Sequence, residues 1–232
     1  MRAAFIFGCQ RSGSTAFHRC LGSHPSVEAF PEDDTRAFYD WRIRQRHEVR
    51  RLLEGDHRLV ALFKPIGDSH RADHLLAAHA PAIAFWLFRS PHRVVNSMAR
   101  ELERSVEYAC EEIERGLLRF PGHRFHRMFD EIFDAASPHD VLYLHWLIKN
   151  SLVLQQDLER RPEVLFCAYE ELLSSTAARA AVSGHLCLDV SSQLKGMAPV
   201  GTPFRPPIAS PHLVAECEAL YQRLLSRVSY AT

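Results

Sequence analysis

The chain has 232 residues, and its hydrophobic fraction of 47% and charged fraction of 24% are those of an ordinary globular protein. Because the 28 basic and 28 acidic residues cancel, the composition argues against a general nucleic-acid binder, which would carry a basic excess. The N-terminal apolar stretch is too short for a signal peptide, and no run reaches the roughly 18 apolar residues of a membrane helix. We therefore expect one domain spanning residues 1–232, in the cytoplasm, with no nucleic-acid or membrane partner.

The six cysteines form no CxxC pair, and their spacing is typical of neither a zinc site nor a small disulfide framework. We expect reduced and mostly buried thiols, and no metal. The cysteines are Cys9, Cys20, Cys110, Cys167, Cys187 and Cys217.

Short apolar segments with the character of buried parallel strands alternate with longer segments of helical character. This alternation predicts an α/β fold, a three-layer sandwich with a central parallel sheet. The predicted strands are residues 3–7, 59–63, 82–88 and 164–167. The predicted helices are residues 14–22, 34–53, 69–79, 91–119, 138–160 and 211–227, and an ordered proline-rich loop is expected at 199–211.

The strongest motif is GCQRSGST at residues 8–15, between the first predicted strand and the first predicted helix. Its glycines allow a tight turn whose N–H groups converge on an anion, and the helix N-terminus adds positive potential. The spacing is that of a Walker A loop, but Ser14 stands where the Walker lysine should be, and Arg11 supplies a cation earlier in the loop. We therefore predict a P-loop-like phosphate-binding loop, in which the hydroxyls of Ser14 and Thr15 also donate to the anion.

Cations follow the next two predicted strands, because Lys64 ends one of them and Arg89 ends the other. Enzymes that use ATP or GTP usually hold Mg²⁺ with a strand-end aspartate. Since ligands of open α/β sheets bind outside the carboxyl ends of the strands, the predicted site is cationic and poorly suited to a metal. It suits a ligand with several separate anionic groups.

These motifs resemble those of the sulfotransferase superfamily, most closely bacterial carbohydrate and tyrosylprotein members with arginine in the loop. Residues 10–15, QRSGST, are similar to the family's loop for the 5′-phosphosulfate of 3′-phosphoadenosine 5′-phosphosulfate (PAPS). Arg89 and Ser97, in FRSPHRVVNS, resemble the pair that binds the 3′-phosphate of this donor. The donor-binding residues that the resemblance implies are Arg11, Ser12, Gly13, Ser14, Thr15, Arg89 and Ser97.

The resemblance also implies a reaction: metal-independent transfer of a sulfuryl group from PAPS to a hydroxyl or amine of a small-molecule, carbohydrate or peptide acceptor. Lys64 would approach the bridging oxygen or the sulfonate. Glu32, in a segment similar to the family's GEETR and PE motifs, is the first candidate for the general base. Asp33 competes because the segment carries one extra residue. His70 is the runner-up, since the place of the histidine in cytosolic members is taken here by Ile66.

The chain departs from the family pattern in two places, and other functions stay open. His92 and Arg93 replace the usual aspartate after the strand-end arginine and proline. The closing loop near the C-terminus has only Lys195 or Arg205 as candidates. The alternatives are a nucleotide kinase or NTPase, which predicts Mg²⁺-dependent ATP binding, and a non-catalytic nucleotide-binding module of the same fold. The segment around Trp41, residues 108–133 and the proline-rich loop are expected to line the acceptor pocket.

Overall fold

The computed structural model describes residues 1–55, 58–120, 137–197 and 209–228. The strands are β1 (Arg2–Gly8), β2 (Val27–Phe30), β3 (Phe38–Tyr39), β4 (Arg42–Ile43), β5 (Val60–Phe63), β6 (Ala82–Phe88) and β7 (Val164–Ala168). The helices are α1 (Ser14–Gly22), α2 (Arg46–Glu54), α3 (Ala72–Ala78), α4 (Pro91–Met98), α5 (Leu102–Arg119), α6 (Pro138–Gln155), α7 (Tyr169–Ser174), α8 (Thr176–Leu186), α9 (Ser191–Lys195) and α10 (Pro211–Leu225).

A five-stranded sheet with the order β2-β5-β1-β6-β7 forms the centre of the fold. Every pairing in it is parallel, as in Phe5 opposite Phe63 of β5 and Ala84 of β6. Parallel sheets need crossover connections, and the helices that provide them cover both faces of the sheet. This arrangement confirms the predicted α/β fold with a central parallel sheet.

The two faces of the sheet carry separate apolar cores. On one face, Phe5 and Phe7 pack with Trp86 and with apolar side chains of α5, α6 and α10. On the other face, Ile6 packs with Phe17 of α1 and with side chains of α7 and α8. Because successive residues of a strand point to opposite faces, a strand covered on both sides must be apolar throughout. All seven residues of β6 are accordingly buried.

The four predicted strands are confirmed to within one residue at each end. The edge strand β2 was not predicted, because Glu28 interrupts its short apolar run. No helix was predicted for α8 either, although its alanines favour one. The helices predicted at 69–79 and 91–119 are each divided, because short 3₁₀ turns occupy Ile66–Arg71 and Ala99–Glu101.

The helix predicted at residues 34–53 is wrong in its first half. Residues 38–43 form the antiparallel β3–β4 hairpin, and its turn places Asp40 at φ 47° and Trp41 at φ 60°. A helix cannot pass through two residues with left-handed backbone. The helix α2 begins only at Arg46, where Gln45 and Glu48 form a capping box.

The remaining predictions concern the proline-rich loop, the end of the helix at 138–160, the cysteines and membrane helices. The proline-rich loop predicted at 199–211 lies mostly outside the described residues. The helix predicted at 138–160 ends at Gln155, before a 3₁₀ turn at Leu158–Arg160. All six cysteines are free, and Cys9, Cys167 and Cys217 are buried. Among the described helices, none has the length and hydropathy needed to cross a bilayer.

The stacked phenylalanines under β5 provide a test of the core. The ring of Phe63 is fully buried and lies 4.8 Å from the ring of Phe30 and 5.6 Å from that of Phe5. Phe63→Ala should therefore lower the free energy of unfolding by about 3–5 kcal/mol in urea denaturation. Leu118→Ala is the control, because Leu118 is 80% exposed and its loss should change stability by about 0.5 kcal/mol or less. Equal effects of the two changes would contradict this core.

Candidate active site

The order of the strands places four motifs in a row along one edge of the sheet. The carboxyl ends of parallel strands share an edge, and connections from those ends form the ligand sites of α/β proteins. Along β2-β5-β1-β6, these ends lead to Glu32, Lys64, the phosphate loop and Arg89 in turn. The phosphate loop, residues 8–15, is therefore flanked by Lys64 on one side and by Arg89 on the other.

Two glycines of the phosphate loop occupy positions that other residues could not. Gly8 has φ 136°, and a Cβ atom there would lie 2.0 Å from the carbonyl oxygen of Leu87. Gly13 has φ 88°, and a Cβ atom there would lie 2.1 Å from the ring of Tyr169. The loop thus turns tightly against β6 and α7. The helix α1 then begins at Ser14 with no acidic residue in its first turn, so its N-terminal N–H groups meet no opposing carboxylate there.

The side chains of the loop differ in their access to solvent. Thr15 is exposed and Ser14 is nearly buried, and both line the cleft described below. Arg11 is about half exposed and lies 3.7 Å from a carboxylate oxygen of Glu101. Ser12 is completely buried, and its hydroxyl has no hydrogen-bond partner among the described residues. The predicted role of Ser12 in donor binding stays a prediction.

Lys64 connects the loop to the proposed base. Its Nζ atom lies 2.6 Å from Oε2 of Glu32 and donates to Oγ1 of Thr15 at 3.4 Å. Lys64 is only 8% exposed, so it is not the ordinary solvated lysine that often ends a strand. The structure thus brings Glu32, Lys64 and Thr15 together, although they are far apart in the sequence.

A two-lobed cleft opens at this row of residues. The larger lobe has a volume of about 620 Å³ and the smaller lobe about 530 Å³. The larger lobe lies between the phosphate loop, the β3–β4 turn and α5, and the smaller lobe lies beside α1 and the end of β2. The side chains that line both lobes are Thr15, Glu32, Trp41 and Lys64. The Lys64–Glu32 pair therefore lies where the lobes meet.

The two other candidates for the base are placed differently. Asp33 is exposed and lines only the smaller lobe. His70 lines neither lobe. It lies in the 3₁₀ turn after β5, where its Nδ1 atom is 3.1 Å from the carbonyl oxygen of Gly67. Burial and the charge of Lys149 lower the pKa of His70 to about 4.

Arg89 lies one aromatic ring away from the phosphate loop. Its guanidinium is 4.9 Å from the centroid of Tyr169, whose ring also contacts Gly13. Arg89 is only 4% exposed, and Glu170 lies 3.8 Å from its Nε atom. Burial and the charges of Arg93 and Arg100 lower the pKa of Arg89, while Glu170 opposes this shift. A guanidinium held in this way is suited to an anion.

Ser97 is also nearly buried, on α4, and accepts a hydrogen bond of 3.2 Å from Arg100. The sequence analysis did not identify Arg100, although its position three residues after Ser97 places it on the same face of the helix. Neither Arg89 nor Ser97 lines the two-lobed cleft, but the neighbouring Met98 does. Because the charge of Arg100 also acts on Arg89, these residues form a second polar group beside the cleft.

Two of the residues expected to line an acceptor pocket line the cleft. Trp41, which is 61% exposed, and Tyr108 both line the larger lobe, together with Arg42. Residues 121–133 lie outside the described residues. Lys195 is exposed at the end of α9 and lines neither lobe, and Arg205 lies outside the described residues. Within the described ranges, no cluster of His, Cys, Asp or Glu has the arrangement of a metal site.

The fold and the site define an α/β protein with a glycine-rich loop, residues 8–15, flanked by cations at the carboxyl edge of its sheet. Comparison with known families identifies it further: residues 3–150 match the model of the sulfotransferase family, and the chain belongs to that family. Membership supports sulfuryl-transfer activity in general and confirms the resemblance described above.

A solved structure has the same fold. The chain is similar to the crystal structure of a sulfotransferase from Alicyclobacillus acidocaldarius, with a TM-score of 0.51 and 16% sequence identity. The match covers 98% of this chain and 94% of that chain. No curated protein matches the sequence.

The close approach of Gly13 to Tyr169 can be tested with a simple anion. Gly13→Ala should remove the rise in Tm that millimolar sulfate causes relative to chloride at equal ionic strength, because the methyl group would displace the loop. Gly184→Ala is the matched control, since a Cβ atom at Gly184 in α8 would meet nothing within 4 Å. An unchanged sulfate effect in Gly13→Ala would show that the loop is not the anion site.

Proposed function

We propose that the protein transfers a sulfuryl group from PAPS to a hydroxyl or amine of an acceptor without a metal ion. The observation that carries this proposal is the row of Glu32, Lys64, the phosphate loop and Arg89 along one edge of the sheet. A proton acceptor, a cation and two separate anion sites would then follow one another in the order that sulfuryl transfer requires. The acceptor is proposed to be a small molecule, a carbohydrate or a peptide, and the protein to be cytoplasmic.

The donor would be held at both of its charged ends. The 5′-phosphosulfate would bind the N–H groups of the phosphate loop with Arg11, Ser14 and Thr15, because the glycines open the loop and the start of α1 carries no acidic residue. The 3′-phosphate would bind Arg89 and Ser97, because Arg89 is a buried cation and Ser97 lies beside a second cation, Arg100. The strands β5 and β6 lead into the cations Lys64 and Arg89, in place of the strand-end aspartate that usually holds Mg²⁺ in ATP enzymes, which favours this donor over the Mg²⁺–ATP of a kinase.

The transfer itself needs few groups. Glu32 would take the proton of the acceptor as the acceptor atom forms its bond to sulfur. The bond between sulfur and the bridging oxygen breaks, and its electron pair leaves with the phosphate of adenosine 3′,5′-bisphosphate. Lys64 and the loop N–H groups would stabilise the charge on that oxygen. Because Lys64 contacts both Glu32 and Thr15 in the free protein, it already lies between the base and the loop.

Binding of the spent donor tests the two anion sites. Adenosine 3′,5′-bisphosphate should bind in the presence of EDTA and more tightly than AMP, as measured by titration calorimetry. Arg89→Ala should lower the affinity for the bisphosphate by about tenfold to a hundredfold, because a charge-assisted contact is lost. The affinity for AMP should not change. Arg50→Ala removes an arginine that is 70% exposed in a surface ion pair and is the matched control. Equal affinities for the bisphosphate and AMP would exclude the 3′-phosphate site, and a requirement for Mg²⁺ with ATP would favour a kinase.

Replacement of the carboxylates tests the assignment of the base. Glu32→Gln should lower kcat by about a hundredfold or more with an acceptor found by screening against labelled PAPS, because proton removal is lost. The affinity for adenosine 3′,5′-bisphosphate should change little. Asp33→Asn is the matched control, because it is a nearly isosteric change at the adjacent residue. A greater loss of kcat in Asp33→Asn than in Glu32→Gln would assign the base to Asp33 instead.

A further inference from the structure

A buried carboxylate behind the larger lobe is shared by three cations. Glu112 of α5 is nearly inaccessible, and its Oε1 atom accepts from Arg42 at 2.6 Å and from Arg115 at 2.7 Å. Its Oε2 atom accepts from Nζ of Lys149 at 2.8 Å. Lys149 lies on α6 and is 1% exposed. Most of the charged residues of α5 are exposed or half-buried, whereas Glu112 is 2% exposed and faces inward.

Stability alone does not account for such a cluster. Burial removes the charges of Glu112 and Lys149 from water, and apolar side chains of similar size would often stabilise a protein as well or better. Burial by itself would raise the pKa of Glu112, but the charges of Lys149 and Arg42 outweigh it and hold that pKa well below its ordinary value. Glu112 therefore stays ionised, and Lys149 has a permanent partner.

The cations of this cluster hold the backbone that follows Lys64. Nζ of Lys149 donates to the carbonyl oxygen of Ile66 at 2.9 Å, and the guanidinium of Arg42 donates to the carbonyl oxygen of Gly67. These carbonyls come two and three residues after Lys64. The turn that they begin, Ile66–Arg71, is thus held by two cations, Arg42 of β4 and Lys149 of α6.

The same turn is attached to the phosphate loop. The hydroxyl of Ser69 accepts from the N–H of Gly8 at 3.0 Å and lies 2.9 Å from the carbonyl oxygen of Ile66. Ser69 is completely buried. One carbonyl, that of Ile66, is therefore shared by Lys149 and by the residue that contacts the first glycine of the loop. The charged cluster, the turn and the loop form a continuous chain of hydrogen bonds.

We propose that Lys149 and Glu112 are positioning residues, which hold the turn after β5 so that Lys64 keeps its place relative to the phosphate loop. This inference rests on the proposed function, in which Lys64 stabilises the leaving oxygen. Lys149 and Glu112 line neither lobe of the cleft, and they act through Ile66 and Ser69.

The first measurement follows the turn itself. In Lys149→Met, Glu112 keeps Arg42 and Arg115 as partners, so the carboxylate is not left alone. Hydrogen exchange of the segment 66–71, measured by mass spectrometry without nucleotide, should become at least about tenfold faster than in the wild type. Exchange of the central strand β6 should not change. Unchanged exchange at 66–71 would overturn the proposal.

Arg179→Met is the matched control. Arg179 is a buried cation of α8 that donates to two carbonyl oxygens, those of Leu172 at 3.0 Å and Leu173 at 3.2 Å, among residues that pack on the other face of the sheet. Its loss should lower stability without affecting exchange at 66–71. If both variants accelerated exchange there equally, Lys149 would have no special connection to the turn. If Lys149→Met does not fold, the double variant Lys149→Met/Glu112→Gln removes both charges and is measured in its place.

The second measurement separates positioning from a purely structural role. Transfer from labelled PAPS should fall at least about tenfold per molecule that binds adenosine 3′,5′-bisphosphate, while the affinity for that nucleotide stays within about twofold. Arg179→Met should keep its turnover per binding site. Full turnover in Lys149→Met would overturn the positioning role. Failure of the wild type to bind the nucleotide would contradict the proposed function instead, because exchange is measured without it.

Discussion

The buried ring of Tyr169 contacts both of the proposed anion sites. The edge of the ring occupies the space that a Cβ atom of Gly13 would need, and the ring centroid lies 4.9 Å from the guanidinium of Arg89. One rigid aromatic group therefore fixes where the loop and the buried arginine lie relative to each other. A ligand that reaches both sites must carry two anions separated by a spacer, as an adenosine with phosphates at its 3′ and 5′ positions does.

The second group of contacts, around Lys64, complements this arrangement. Lys64 lies on the opposite side of the loop from Arg89 and is paired with Glu32 at 2.6 Å. A lysine is well suited to this place, because its compact charge on a flexible chain can move from a carboxylate to a developing oxyanion. The proposed positioning by Lys149 and Glu112 would confine that movement by fixing the backbone two residues later.

Much of this site could be predicted from the sequence, because its parts depend on local patterns. The glycines, Arg11 and the helix start lie in one short segment, and Lys64 and Arg89 each end an apolar run. The strand order then brings these segments together. Residues that depend on long-range packing could not be found in this way. Glu112 is one of several acidic residues in a charged helix, and nothing in the local sequence separates it from the others. Its burial depends on the ion pair with Lys149, which lies on another helix.

Elements with weak local signals were missed for the same reason. The β3–β4 hairpin has two-residue strands, and its turn depends on left-handed backbone at Asp40 and Trp41. The residue types at these two positions do not predict that conformation. The approach of the Tyr169 ring to Gly13 likewise joins segments that are far apart in the sequence. The most direct test of the account is a crystal structure with adenosine 3′,5′-bisphosphate. We predict the 5′-phosphate in the phosphate loop and the 3′-phosphate on Arg89 and Ser97. A 3′-phosphate directed into solvent, with Arg89 still covered by Glu170, would contradict the account.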